Sequence, residues 1–130
     1  MLNNKGQSLI LFVLFIPILL LVLVLVIDIG KIINLKTELD DISNIVLDYG
    51  LDNLEKEDLI SELENLVKLN KSDIDSINIK KEEDKIYIYL EDNNDGLFLG
   101  FIDISINSIK SYYVGYFENN EKRIERIVGD

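Results

Sequence analysis

The residues of this chain that can do chemistry are carboxylates, hydroxyls and lysines. Cys, His and Trp are absent from its 130 residues, which removes thiol nucleophiles, imidazole acid-base catalysis, disulfides and Cys/His zinc sites. The string Glu91-Asp92-Asn93-Asn94-Asp95-Gly96 carries glycine at its sixth position, as an EF-hand loop does. Its first position is Glu rather than Asp, and its twelfth is Ile102, which has no carboxylate to close a calcium shell. Residues 92–96 therefore read as a solvated turn. Glu82 and Glu83 are adjacent acids with no apolar enclosure in sequence to shift them into an acid-base role. The serines have no His to activate them, and no glycine-rich phosphate loop is present. Together these readings predict no enzyme, no metal and no cofactor, and a protein that works through contacts. Tyr112, Tyr113, Tyr116 and Phe117 crowd one short segment that serves either as a contact surface or as one side of a core.

The elements that must carry these residues begin with a long apolar run. Residues 9–27 are 19 consecutive uncharged residues, all apolar except Pro17. As a helix they extend about 28 Å, close to the hydrocarbon thickness of a bilayer. A cleaved secretory signal has a shorter apolar run and a small-residue cleavage site, whereas this chain has no Ala. Lys5 is the one basic residue before the run, and Asp28, Lys31, Lys36, Glu38, Asp40 and Asp41 follow it with mixed sign. The positive-inside rule then predicts a single-pass protein of the cell membrane, with residues 1–6 cytoplasmic, 7–30 spanning and 31–130 extracytoplasmic. Net charge is −11, which disfavours nucleic acid as a partner. Pro17 removes one helical hydrogen bond, so a bend or loosening is expected there. Asp28 marks the outer boundary of the span.

Beyond Gly30 the helical period continues. Ile32, Leu35, Leu39, Ile42, Val46 and Tyr49 are spaced 3, 4, 3, 4 and 3 apart, an apolar stripe that needs covering by its own domain or by a partner. The prediction is one helix over about residues 7–49, closed by Gly50 as a left-handed cap. Residues 52–70 read as a second helix, with Leu59, Ile60, Leu63, Leu66, Val67 and Leu69 on one broad face. From residue 75 the period becomes two. Ile77 and Ile79, then Ile86, Ile88 and Leu90, alternate around a charged turn at 81–84, and Tyr87 and Tyr89 occupy the opposite face. Ile102, Ile104 and Ile106 alternate again, and the segments 111–117 and 122–128 flank a turn at Glu118-Asn119-Asn120-Glu121. The expected fold class is α+β: a long N-terminal helix, a second helix, and an antiparallel sheet of about four strands packed on the long helix.

The string Lys5-Gly6-Gln7-Ser8-Leu9-Ile10-Leu11-Phe12, then Pro17, a Leu/Val run and Ile27-Asp28-Ile29-Gly30-Lys31, resembles the start of TadE-like proteins, the pseudopilin-like components of the Tad (tight adherence) pilus system of bacteria. Phe12, Pro17, Asp28, Gly30 and Lys31 fall on that family's positions, and the resemblance covers about residues 5–49. It implies a pilin-like fold, processing by a prepilin peptidase between Gly6 and Gln7, and packing of the membrane helix through Phe12, Pro17, Asp28 and Gly30. Its implied partners are the membrane and other Tad-type pilus-assembly proteins, joined through the N-terminal helix in hetero- or homo-oligomers. The stripe of Ile32, Leu35, Leu39, Ile42, Val46 and Tyr49 is then a candidate interface. Pilins usually carry Glu at the fifth residue after the processing Gly, where it pairs with a neighbour's N-terminal amine. Here that residue is Leu11, which points to an accessory or minor component. The alternative expectation is an extracytoplasmic ligand-binding or sensory domain for which the N-terminal helix is only a tether.

Overall fold

In a computed structural model, residues 4–93 and 108–128 are described. The expected turn at 92–96 beyond Asn93, the segment 97–102 and the alternation at Ile102, Ile104 and Ile106 lie outside them. Helix α1 spans Asn4–Asp52 and passes through Pro17 without a break. Helix α2 spans Leu59–Asn70. Four strands follow, β1 at Ser76–Glu82, β2 at Lys85–Asn93, β3 at Ser108–Glu118 and β4 at Glu121–Arg126, and form one antiparallel sheet in the order β1-β2-β3-β4. The α+β architecture with four strands is the one the periodicities predict.

Two-residue turns fix the register of both hairpins. Asn119 and Asn120 have φ of 53° and 66°, the left-handed pair that a twist-matched hairpin turn requires and that Asn tolerates best after Gly. Glu83, with φ of 54°, turns the β1–β2 hairpin between Glu82 and Lys85. The charged turn is therefore shorter than the expected 81–84, because Lys81 and Glu82 still pair with Ile86 and Lys85.

The core lies between the sheet and the helices. Leu35, Leu39, Ile42, Val46, Leu47 and Leu51 of α1 meet Leu59, Leu63 and Val67 of α2 and Ile79, Ile86, Ile88, Leu90 and Ile109 of the sheet. Two boundaries differ from expectation. Gly50 is helical rather than a cap, and α1 runs on to Asp52. A Cβ at Gly50 would stand 2.7 Å from Ile86 Cδ1 and 3.2 Å from Leu63 Cδ1, so glycine is required there for close approach of α1, α2 and β2. The Asn53 side chain donates to Tyr49 O at 2.8 Å and closes the helix instead. Helix α2 starts at Leu59, not residue 52, because a tight turn held by Asn53 N to Gly50 O and Lys56 N to Asn53 O occupies the gap. Leu69 is 82% exposed and lies outside the buried face of α2, which is made by Leu59, Leu63 and Val67.

Candidate functional site

The first half of α1 is an apolar rod. Leu9, Leu11, Phe12, Leu14 and Phe15 are each about 60% exposed, a state that apolar side chains hold only in lipid or against a neighbouring protein. Among the described residues α1 is the one helix long and apolar enough to cross a membrane. Gly6 and Gln7, the expected processing pair, lie in its first turns. Phe12 and Pro17 lie within the exposed rod. Asp28 is fully buried, so the residue expected at a water-exposed boundary is instead taken into the protein. A Cβ on Gly30 would meet nothing within 4 Å among the described residues, and Lys31 is exposed.

The second half of α1 is fastened to the sheet on two sides. Its apolar stripe is core: Leu35, Leu39, Ile42 and Val46 are buried, and Ile32 and Tyr49 pack against the same cluster. The surface considered for a partner is thus covered by the chain's own sheet. The physical reason is that β2 and β3 present their own alternating apolar face to that stripe. Polar contacts complete the attachment. Ser111 Oγ donates to Asp40 Oδ1 at 2.8 Å and lies 3.2 Å from Ser43 Oγ, and Arg126 pairs with Asp40 Oδ2 at 3.1 Å. Lys122 bridges Asp48 at 3.0 Å and Asp52 at 2.7 Å, and Lys36 donates to the carbonyl of Lys110. The rod and the sheet therefore form one body.

Two further features lie away from this junction. A polar cleft of about 530 Å³ opens beside Lys31, Asn34, Glu38, Lys71, Asp73 and Asp92. Its charges are internally matched: Lys71 lies 3.2 Å from buried Asp92, 3.4 Å from Asp73 and 3.8 Å from Glu38. Desolvation lowers the Lys71 pKa, but the Asp92 hydrogen bond and the three carboxylate charges outweigh it and hold the ammonium above its ordinary value. Among the described residues no group of three or more acids is arranged to hold a metal ion. Glu82 and Glu83 stand exposed at the hairpin tip.

The tyrosine-rich strand divides by alternation. Tyr113 turns inward to the core, and Phe117 is 42% exposed. Tyr112 and Tyr116 share the outer face with Tyr87, Tyr89 and Val114, through the pairs Tyr89↔Tyr112 and Tyr87↔Val114. The Tyr89 and Tyr112 rings meet edge to face at 5.8 Å, and Lys85 Nζ lies 5.3 Å from the Tyr116 ring centre. Tyr89 donates to Glu91 at 3.2 Å and Tyr116 to Glu125 at 2.9 Å. Sequence reasoning alone does not assemble this cross-strand patch, although the alternation of Tyr87 with Tyr89 is the signal that could expose it.

The class defined by these features is an α+β domain built on a helix long and apolar enough to anchor it in a membrane. Comparison with protein-family models, with curated proteins and with solved structures returns no match for the chain.

Proposed function

We propose that the protein is a single-pass, TadE-like pseudopilin component of a Tad-type pilus assembly or secretion apparatus, acting through protein contacts. The observation that carries this reading is the single helix of 49 residues, bare and apolar in its first half and locked beneath an antiparallel sheet in its second. A flexible tether would leave the domain free to tumble. A rod continuous with the domain core converts lateral packing in the membrane into a fixed orientation of the domain outside it. Lys5 on the N-terminal side supports a cytoplasmic N-terminus and an extracytoplasmic domain. Phe12 and Pro17 give the rod a local shape that a neighbouring helix can recognise, and Gly6-Gln7 is the processing site. Leu11 in place of the pilin Glu supports an accessory role, since the intramembrane charge pair with a neighbour's amine is not available.

The test is to shuffle the order of residues 9–27 at constant composition in the host. Membrane insertion should persist while pilus assembly is lost. Normal assembly with the shuffled span, or with residues 31–130 alone, would show that the helix is only a tether and would overturn the proposal.

A further inference from the structure

Contacts with α1 identify which end of the domain lies nearer the apolar rod. Strand β3 runs beside α1 in the same direction, from Lys110, whose carbonyl accepts from Lys36, to Gly115, where an added Cβ would lie 3.4 Å from Leu47. The start of β3 and the end of β2, joined by the pair Asn93↔Ser108, are therefore on the side of the rod. The polar cleft of about 530 Å³ opens at this end, between α1, the segment after α2 and the last residues of β2. Its α1 wall begins with Lys31 and Asn34, which stand about 6 Å and about 10 Å along the helix beyond Ile27, the last residue of the apolar run. The headgroup layer on each side of a bilayer is about 5–7 Å thick. A membrane crossed by residues 9–27 thus puts the mouth of the cleft at its polar surface.

Both signs of charge line the cleft, in unequal number. Lys71 alone meets three carboxylates, Asp92 at 3.2 Å, Asp73 at 3.4 Å and Glu38 at 3.8 Å. Asp92 is buried and fully engaged, since its second oxygen accepts from the Asn93 amide. The other two carboxylates remain open to a ligand, because the Glu38 and Asp73 side chains are 47% and 82% exposed. Asp75 and Lys31 also line the cleft, and neither takes part in an ion pair among the described residues. Four carboxylates face two ammonium groups, and the cation without a carboxylate partner is the one closest to the apolar run. This order of charge fits a ligand that is anionic next to the bilayer and cationic farther out.

We propose that the cleft holds the phosphoethanolamine headgroup of a membrane phospholipid, with the phosphodiester on Lys31 and the ammonium among Glu38, Asp73 and Asp75. The proposal rests on the membrane-anchored reading, which supplies the lipid and sets the cleft at its height. A primary ammonium donates charge-assisted hydrogen bonds to carboxylates, whereas the trimethylammonium of phosphatidylcholine has no N–H to donate. An anionic headgroup lacks the cation that the surplus carboxylates require, and a chain of net charge −11 repels it. The Asn34 and Asn93 amides at the cleft wall can donate to phosphate oxygens or accept from the ammonium. A headgroup held there ties the lower end of the domain to the bilayer surface.

The full-length chain is reconstituted into liposomes of equal phosphatidylethanolamine, phosphatidylcholine and phosphatidylglycerol with identical acyl chains. It is then extracted in mild detergent and weighed with its retained lipid by native mass spectrometry. The expected species carries one phosphatidylethanolamine per chain. Lys31→Gln with Asp75→Asn should reduce that retention about tenfold by removing a charged partner from each end of the headgroup. Both residues are exposed, and circular dichroism checks the fold. Lys80→Gln with Glu57→Gln, the same change of charge on exposed residues outside the cleft, should leave retention unaltered. Equal or greater retention of either other lipid, no retained lipid, or unchanged retention in the Lys31 and Asp75 variant would overturn the proposal. Displacement by an equal concentration of sn-glycero-3-phosphoethanolamine would overturn it too, by assigning the cleft to a soluble phosphate ester. Insertion is scored on the same liposomes by resistance to alkaline extraction: failed insertion removes the anchored reading itself, whereas insertion without the retained lipid removes only the headgroup site.

Discussion

Replacing Gly50 with Ala tests whether the rod and the domain are locked together as closely as the fold requires. The added Cβ would lie 2.7 Å from Ile86 Cδ1 and 3.2 Å and 3.4 Å from the two δ-carbons of Leu63. Both neighbours are fully buried, so neither can swing into solvent to make room. Overpacking of this kind costs about 1–3 kcal/mol. Exchanging a helical Gly for Ala returns up to about 1 kcal/mol of helix propensity, less in the last turn where Gly50 lies, leaving a net loss of about 1–2 kcal/mol. Ile86→Val removes the colliding Cδ1 and by itself costs about 1 kcal/mol. In the Gly50→Ala background it relieves the worst contact, so its cost should nearly vanish and the cycle should show a coupling of about 1 kcal/mol. The assay is urea unfolding of the full chain in detergent micelles, followed by far-UV circular dichroism and by the near-UV signal of the tyrosines. Additive losses, or a Gly50→Ala variant more stable than the parent, would refute the close approach of α1 to β2.

Asp40→Ala should destabilise the domain by about 1–3 kcal/mol, because it strips the acceptor from buried Ser111 Oγ as well as from Arg126. Asp48→Ala should cost under about 1 kcal/mol, since that carboxylate is exposed and Lys122 keeps Asp52; the same unfolding assay compares them. Glu83→Gly should stabilise the β1–β2 hairpin by about 1 kcal/mol by relieving the left-handed backbone at φ 54°, read as a rise in midpoint. Tyr89 and Tyr113, raised chiefly by burial, and Tyr116, raised chiefly by its bond to Glu125, should ionise above the ordinary value of 10.0 in an absorbance titration. Raised folded values mean that their stabilisation is complete below pH 10 and disappears as pH climbs through the folded values. Glu91 is held below its ordinary 4.5 mainly by the Ser108 hydroxyl and then by Tyr89. Its contribution is therefore present above pH 4.5 and lost in acid, and Ser108→Ala should move its NMR-detected titration back toward 4.5.

Much of the architecture is legible in the sequence because one face of each element is apolar at the period of that element. The 3-4 spacing from Ile32 to Tyr49 and the alternation of Ile86, Ile88 and Leu90 locate the two surfaces that meet in the core. Local spacing does not encode which surface covers which, so the stripe stays open between its own sheet and a partner until the fold shows the sheet covering it. Gly50 differs from expectation for a related reason. A helix-ending glycine and a close-packing glycine look alike in one dimension, and the deciding contact with Ile86 lies 36 positions away. The Lys71–Asp92 pair and the Tyr89–Tyr112 contact are hidden in the same way, since each depends on strand register and not on neighbouring residues.

The proposed pseudopilin-like role predicts a mark of processing at the N-terminus. Intact mass and terminal peptide sequencing of the membrane-extracted chain would be compared between hosts with and without their prepilin peptidase. The expected chain begins at Gln7 when the peptidase is present and at Met1 when it is absent. Met1 in both hosts would contradict pilin-type processing at Gly6.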